Sequence, residues 1–435
     1  MSLLWRLAFR NIFRNQRRTL ATVFTVCFGY VGLVLTGGYI IYVEKSIRAL
    51  SVYINHGGNI VIYKKDGLNH FFSKPKKFVI DAEMLTQMSA VLSRFPDQIE
   101  RVGSYLTGMG LLSNGLRSTP VLVRGVDPNV DSFVRGHPFV KEYFSDLALS
   151  DQSQEFSAFV NRNSEAISIT EGLGELLGRR APFGQLPENQ RDVQLAAKSF
   201  LGDFNAVNGV LGPRHSTGLP YLEDLSVIMP LKALQNLLLT DGVSSVAIFL
   251  KESVSTSTFM EILRKEFLKF GILVDLYPYY GDDVGMFYSG TMGFLFAIGG
   301  FFFILILGAV ILSVVNTITI GIIERTREIG TLRAIGFKPS DLSELFFKEN
   351  LVISVICVGL GILFSASIAT AINNSGIRFR PTGVAKDVPF MVLPEVWMSV
   401  SVAISLIILT CVTAYFVAFR KTKVHLVHLL TDPGG

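Results

Sequence analysis

Four stretches of this chain run without a charged residue for longer than a helix needs to cross a lipid bilayer. They are Thr19–Val43 (25 residues), Val284–Ile323 (40), Asn350–Ile377 (28) and Val396–Phe419 (24). Roughly 20 residues, each rising about 1.5 Å, cover a hydrocarbon core of about 30 Å. Each stretch therefore suffices for one crossing. The second would rise about 60 Å as a single helix. Its Gly299-Gly300 is followed at once by Phe301-Phe302-Phe303, with no polar turn. It reads as one helix that leaves the membrane as a stalk, starting near Val284; a short interfacial segment before the span is the alternative. Only 17% of the residues are charged and 49% are hydrophobic, whereas a soluble domain carries about 25% charged residues. That balance excludes intrinsic disorder and argues against a wholly soluble enzyme. Cys27, Cys357 and Cys411 all lie in apolar stretches, where thiols serve as packing groups, and three are too few for a disulfide framework.

Short-loop arginines and lysines set the expected orientation. Segment 324–349 has five, the leader before the first stretch has five and the tail has three, against three in loop 373–395. Both termini and segment 324–349 are therefore expected in the cytoplasm. The expected order is a cytoplasmic leader (1–18), a first transmembrane helix (19–43), an extracytoplasmic α+β domain (44–283), and a stalk with the second transmembrane helix (284–323). A cytoplasmic coupling segment (324–349), a third helix (350–372), an outer loop (373–395), a fourth helix (396–419) and a cytoplasmic tail (420–435) follow. The expected fold class is thus an α-helical membrane protein with four transmembrane helices in a 1+3 arrangement and one large extracytoplasmic domain. By this division the cytoplasmic pieces carry +7, the outer segment −3 and the outer loop +1. The basic excess belongs to the membrane rim, which leaves no basic folded face for nucleic acid.

In the leader, Arg6, Arg10, Arg14, Arg17 and Arg18 fall on one side of a helical wheel, and Leu4, Trp5, Ala8, Phe9 and Ile12 occupy much of the other. This pattern suits a basic amphipathic helix on the inner leaflet with Trp5 at headgroup depth. Plain flanking charge accounts for the same arginines. A cleavable signal peptide fits poorly, because the apolar run is too long and lacks a small-residue cleavage site.

Segment 44–283 alternates short β-branched runs with helical periodicity. Strands are expected at Asn59–Tyr63, Pro120–Val126, Ala166–Thr170, Val193–Ala197, Leu225–Pro230, Ser245–Leu250 and Ile272–Leu276. Asp81 can cap a helix carrying Met84, Leu85, Met88, Val91, Leu92 and Phe95. Phe259, Ile262, Leu263 and Phe267 mark a second helix inside a βαβ unit near 245–276. His56, His70, His137 and His215 are scattered without ligand spacing, so they read as surface or structural histidines. His425-x-x-His428 in the tail reads as a helix face. No catalytic residue, metal site or phosphate loop is expected in the chain, and the substrate-binding residues stay unassigned. The aromatics of Tyr277-Pro278-Tyr279-Tyr280 suit a membrane interface or a binding role.

The most informative stretch runs from Glu324 to Asp341, directly after the second apolar run. It contains Glu324, Arg325, Arg327, Glu328, Ile329, Gly330, Leu332, Arg333, Ala334, Ile335 and Gly336. Gly336 can end a short helix, and Pro339-Ser340-Asp341 can start the next. A charged helix held between two membrane spans is a lever, and Ile329, Leu332 and Ile335 argue against a merely solvated loop. Here the sequence resembles the permease family of FtsX, the macrolide exporter MacB and the lipoprotein-release permeases. The family's R-x-R-E-I-G-x-L-R-A-x-G signature is matched by Arg325, Arg327-Glu328-Ile329-Gly330, Leu332-Arg333-Ala334 and Gly336. Glu349, Gly359, Gly361, the leader's Leu7-Ala8-x-Arg10-Asn11 and Arg17-Arg18-Thr19 also match. So do His56-Gly57-Gly58-Asn59-Ile60, Gly125-Val126-Asp127-Pro128, and Asp224 leading to Met229-Pro230-Leu231.

The resemblance implies a non-catalytic permease in the inner (cytoplasmic) membrane, paired with a second copy or a paralogue. A separate cytoplasmic ABC ATPase would supply ATP and Mg, and this chain would hold no cofactor. Residues 324–336 would contact that ATPase through Glu328, Arg327 and Arg333, with Ile329, Leu332 and Ile335 filling its groove. The expected activity is extraction or export of an amphiphilic substrate, a lipoprotein above all, by mechanotransmission, with membrane lipids and a periplasmic protein as further contacts. The alternative is an FtsX-like transmitter that activates a cell-wall hydrolase without transport.

Overall fold

The computed structural model describes residues 16–144, 159–160, 163–181, 183–381, 383–385 and 387–423. They divide into two compact units: one comprises the long apolar helices, and the other comprises Glu44–Met292 with Arg378–Val388.

Among the described residues, four helices are long and apolar enough to cross a membrane. They lie in α1 (Gln16–Arg48), α2 (Met286–Glu324), α4 (Pro339–Asn374) and α5 (Val396–Thr422), while α3 is the short helix Thr326–Ala334. The 39-residue α2 passes through Gly299-Gly300 without a break. One core cluster gathers Val26, Tyr30, Val314, Phe346, Cys357 and Leu406, with residues from all five helices in it. Hydroxyl pairs fasten the helices where lipid offers no polar partner. Thr22 pairs with Thr317 at 2.8 Å and Ser354 with Thr410 at 2.7 Å, and the Tyr30 hydroxyl donates to the Ser399 carbonyl at 3.2 Å. A Cβ on Gly361 would stand 2.5 Å from the Tyr30 ring, which is fully buried and cannot swing aside. Gly361→Ala should therefore lower the melting temperature of the detergent-solubilised chain, with overpacking costing about 1–3 kcal/mol. Gly359→Ala, whose Cβ meets nothing within 4 Å, should leave it unchanged or raise it through helix propensity.

The α+β unit is built on nine strands: β1 (Ile60–Lys64), β2 (Ile99–Ser113), β3 (Ser118–Val126), β4 (Ala166–Ile169), β5 (Asp192–Lys198), β6 (Phe204–Leu211), β7 (Ser226–Pro230), β8 (Ser245–Leu250) and β9 (Val274–Pro278). Their order is β3-β7-β4-β6-β5-β2-β8-β1-β9, and β2 also pairs with β3. That extra pairing closes β2-β3-β7-β4-β6-β5 into a ring, a small barrel without open edges. Its core holds Leu106, Leu112, Val123, Ile167, Leu195 and Val227, with Leu234, Leu237 and Leu238 of the helix Leu231–Leu238 packed among them. The first half of the 15-residue β2 leaves the ring and pairs with β8, from Ile99↔Leu250 to Tyr105↔Ser245. The four-stranded sheet β2-β8-β1-β9 that results has its own core against the helices Ala82–Leu92 and Thr256–Lys269. Asp81 caps the first of these, its Oδ1 accepting the Met84 N–H at 2.9 Å. The parallel strands β8 and β9 flank β1, which is antiparallel to both, so the βαβ unit is split by an inserted strand.

Two of these nine strands, β2 and β6, were not expected from the sequence. Gly103, Gly108 and Gly110 weaken the strand pattern of β2, since glycine costs entropy in a strand. Here they permit close approach: a Cβ on Gly108 would stand 2.9 Å from Leu238, and one on Gly110 would stand 2.8 Å from the Ala196 carbonyl. β6 is interrupted by Asn205, Asn208 and Gly209, which weaken its strand pattern, and it is held by pairing with β5 from Phe204 to Val210.

Candidate functional site

The coupling segment is a fastened elbow. α2 ends at Glu324, Arg325 steps out of helical geometry (φ −111°, ψ 18°), and α3 begins at Thr326, whose hydroxyl donates back to the Ile323 carbonyl at 2.8 Å. Gly336 (φ +109°) ends α3, a conformation that favours glycine. The Lys338 N–H then donates to Asp341 Oδ2 at 2.8 Å, and Pro339 opens the first turn of α4. Three attachments hold α3 to the helical unit. Arg325 Nη1 lies 3.2 Å from Glu349 Oε1, with both side chains about 5% exposed. Ile329 is buried in the helical core cluster, with Leu332 packed against it. Arg333 Nη1 donates to the Thr422 carbonyl of α5 at 3.1 Å.

The remaining face is open. Glu324, Arg327, Glu328, Thr331, Ala334, Ile335 and Gly336 are exposed or half-buried, Ile335 at 73% exposure. The expectation that Ile329 enters a partner's groove is corrected by this placement, since the chain's own helices cover it, while Leu332 is half-buried against the same cluster. Arg325 and Arg333 likewise face inward, and Ile335 is the apolar residue that α3 presents outward. The Arg325–Glu349 pair was not anticipated, because each residue alone reads as solvated rim charge. In the leader, Trp5, Arg6, Arg10 and Arg14 lie outside the described residues. Arg17 and Arg18 fall in the first turn of α1, but their side chains are not among those described, and His425 and His428 also lie outside.

The α+β unit contains a second polar constellation. Residues 49–54 continue α1 as a short π-helix, after which His56 (φ +56°) and Gly58 (φ +65°) turn the chain onto the sheet. A Cβ on Gly58 would stand 2.8 Å from the Ile248 carbonyl, so the backbone closes there only around glycine. Asp127 caps the helix Pro128–Gly136 by accepting the Asn129 N–H at 2.8 Å, and that helix presents Asp131 and Arg135. His56 Nε2 meets Asp131 Oδ1 at 2.7 Å, and Arg135 Nε donates to the same oxygen at 2.8 Å, with all three side chains nearly inaccessible. Burial drives the His56 pKa down to about 4 despite its carboxylate partner. Burial alone would raise Asp131, but the Arg135 charge and the His56 hydrogen bond outweigh it and hold Asp131 well below the usual carboxylate range. His56 is therefore neutral at pH 7 and donates Nε2–H to a carboxylate. Thus His56-Gly57-Gly58 and Gly125-Val126-Asp127-Pro128, two landmarks far apart in sequence, meet at one buried knot.

His215 is held similarly, with Nδ1 2.9 Å from Ser168 Oγ and Nε2 3.0 Å from Ser226 Oγ, and burial lowers its pKa. His137 is buried 3.4 Å from Glu100, and His70 is exposed. Among the described residues, no group of His, Cys, Asp and Glu could hold a metal ion. The pKa shifts of His56 and His215 share a sign. Between pH 6.5 and about 4 the unfolded chain takes up a proton that folded His56 refuses, so stability should fall through that window as pH drops. Asp131 adds a loss at still lower pH. A thermal-shift series of the full chain from about pH 7.5 to about pH 4 should show a falling melting temperature, and His56→Gln should make that fall shallower.

Comparison with known proteins places the helical unit. Residues 300–424 match a family model described as FtsX-like permease C-terminal. Over 68 residues the chain is 37% identical to the ABC transporter permease YtrF of Bacillus subtilis, covering 15% of this chain and 16% of that protein. Over 244 residues it is 25% identical to the macrolide export ATP-binding/permease protein MacB of Bordetella avium, covering 56% of this chain and 34% of that protein. The chain thus spans about a third or less of these relatives' own lengths. The crystal structure of the periplasmic region of MacB from Actinobacillus actinomycetemcomitans aligns at 12% identity with a TM-score of 0.33, covering 51% of this chain and 89% of that one. Arg325 to Gly336 lie inside the matched region, so the helical unit is similar to the FtsX-like permease C-terminal domain, and the chain as a whole shares segments with the permeases YtrF and MacB.

Proposed function

We propose that this chain is the permease subunit of an ABC transporter of the MacB/lipoprotein-release type. A separate cytoplasmic ATPase docks on α3, and its ATP-driven closure moves the α+β domain on the far side of the membrane. The work done there is extraction or export of an amphiphilic substrate, with lipoprotein the favoured cargo. In this reading both termini and α3 face the cytoplasm, the α+β domain lies outside, and two permeases pair. The observation that carries it is α3 itself: one face is fastened to α2, α4 and α5, and the other is open and carries Arg327, Glu328 and Ile335. A force applied to such an elbow reaches two long helices at once. The exposed aromatics of α2, Phe294, Phe296 and Phe301 among them, suit contact with lipid, a second permease or a lipidated cargo.

The test is affinity capture in detergent, followed by co-expression with the ATPase so identified. Arg327→Glu with Glu328→Arg should reduce ATPase co-purification about tenfold or more, because charges at a rim govern docking. Undiminished association would remove the docking assignment. The FtsX-like alternative asks the same of α3 and differs in what the outer domain engages. Retention of a lipidated protein without ATP favours export, and retention of a cell-wall hydrolase favours signalling.

A further inference from the structure

The outer face of the sheet β2-β8-β1-β9 is covered by residues 49–58 and by the helix Pro128–Gly136, but the cover is incomplete. A cleft of about 260 Å³ remains, and its lining combines polar side chains (Tyr63, Thr107, Arg124, Ser245) with apolar ones (Leu219, Leu222, Met286, Phe287). No acidic residue lines it among the described residues. Two lining residues have carboxylate partners, His56 with Asp131 and Tyr288 with Glu44, and neither carboxylate reaches the cleft.

Arg124 is the unusual group. Its Nη1 donates to the Asn55 carbonyl, and among the described residues no carboxylate lies within ion-pair distance and no acceptor meets its other donors. A guanidinium offers five N–H donors in a fixed fork that matches phosphate or carboxylate oxygens in pairs. Burial disfavours the charge of Arg124 and lowers its pKa, a cost that a bound anion would offset. The neighbouring hydroxyls are proton-bearing donors. Burial raises the pKa of both Tyr63 and Tyr105, and the buried Tyr105 hydroxyl has no hydrogen-bond partner among the described residues.

We propose that this cleft is a receptor for a phosphate-bearing head group, with Arg124 gripping the phosphate and Leu219, Leu222, Met286 and Phe287 taking the apolar part attached to it. The volume is close to the lower end of small-ligand sites, which fits a head group and the start of a chain and not a whole lipid. The site is independent of ATPase docking on α3, so failure of either leaves the other standing.

Titration calorimetry of the full chain in a nonionic detergent tests it with two probes, dihexanoyl phosphatidic acid and inorganic phosphate. Saturable binding of dihexanoyl phosphatidic acid is expected, weakened about tenfold or more in Arg124→Gln and in Leu222→Glu, which adds an acid to the lining and leaves Arg124 in place. Tighter binding of the lipid than of inorganic phosphate identifies an amphiphile's head group, and equal binding identifies free phosphate. No binding of either probe to the unaltered chain would overturn the proposal, as would affinity in both variants equal to that of the unaltered chain. Should Arg124→Gln fail to fold without its bond to the Asn55 carbonyl, Leu222→Glu decides alone.

Discussion

Arg325→Gln is expected to destabilise the helical unit by about 3–5 kcal/mol, because it removes the guanidinium that meets the buried Glu349 carboxylate. Both partners are about 5% exposed and lie 3.2 Å apart. Water therefore cannot take the place of either, unlike at the exposed pair Arg380–Asp387, where the loss of one partner costs less than about 1 kcal/mol. The same logic holds for Glu349→Gln. Replacing both by apolar residues of similar length, Arg325→Met with Glu349→Leu, should recover most of the loss, since the desolvation cost disappears with the charges. Thermal unfolding in detergent reads the stability. ATPase-coupled turnover reads what stability alone does not: the double variant should fold yet transmit poorly, because the pair fixes the angle between α2 and α4 at the elbow. Full turnover in the double variant would show that packing alone sets this angle.

Asp131→Ala should cost the α+β domain a similar amount, about 3–5 kcal/mol. Asp131 Oδ1 accepts from both His56 and Arg135, so its removal strands one buried guanidinium and one buried imidazole N–H. Asp131→Asn retains an oxygen that can accept from both donors but loses the charge, and its cost should fall between that of Asp131→Ala and none. Glu100→Gln beside His137 is the control: Glu100 is 32% exposed, and the cost there should stay within about 1 kcal/mol. Urea denaturation of the full chain in detergent, followed by limited proteolysis of the domain, ranks the three. Equal stability of Asp131→Ala and the unaltered chain would show that the knot is packed, not bonded.

What the sequence disclosed follows from how local each signal is. The Asp81 cap, the Phe259/Leu263/Phe267 stripe, the Gly336 stop and the Pro339 start act within a few residues, and all were legible from spacing. Strand β2 was hidden because its Gly108 and Gly110 exist for neighbours far along the chain, Leu238 and Ala196. The His56–Asp131 contact spans 75 residues and Arg325–Glu349 spans 24. Neither has a local period, and the four histidines looked alike until burial separated His70 from the rest. The division of α3 into a fastened face and an open face was half legible. Its apolar residues implied a packed side, but sequence alone could not tell whether that side faced the chain's own helices or a partner.

Site-directed cross-linking from α3 tests most directly whether an ATPase drives this permease. Cysteines at Thr331 and Ile335 should each cross-link to the co-expressed ABC ATPase, more strongly with ATP than without, whereas one at Ile329, buried against the helical core, should not. The ATPase failing to cross-link at Thr331 and Ile335, or joining Ile329 as readily, would contradict the account.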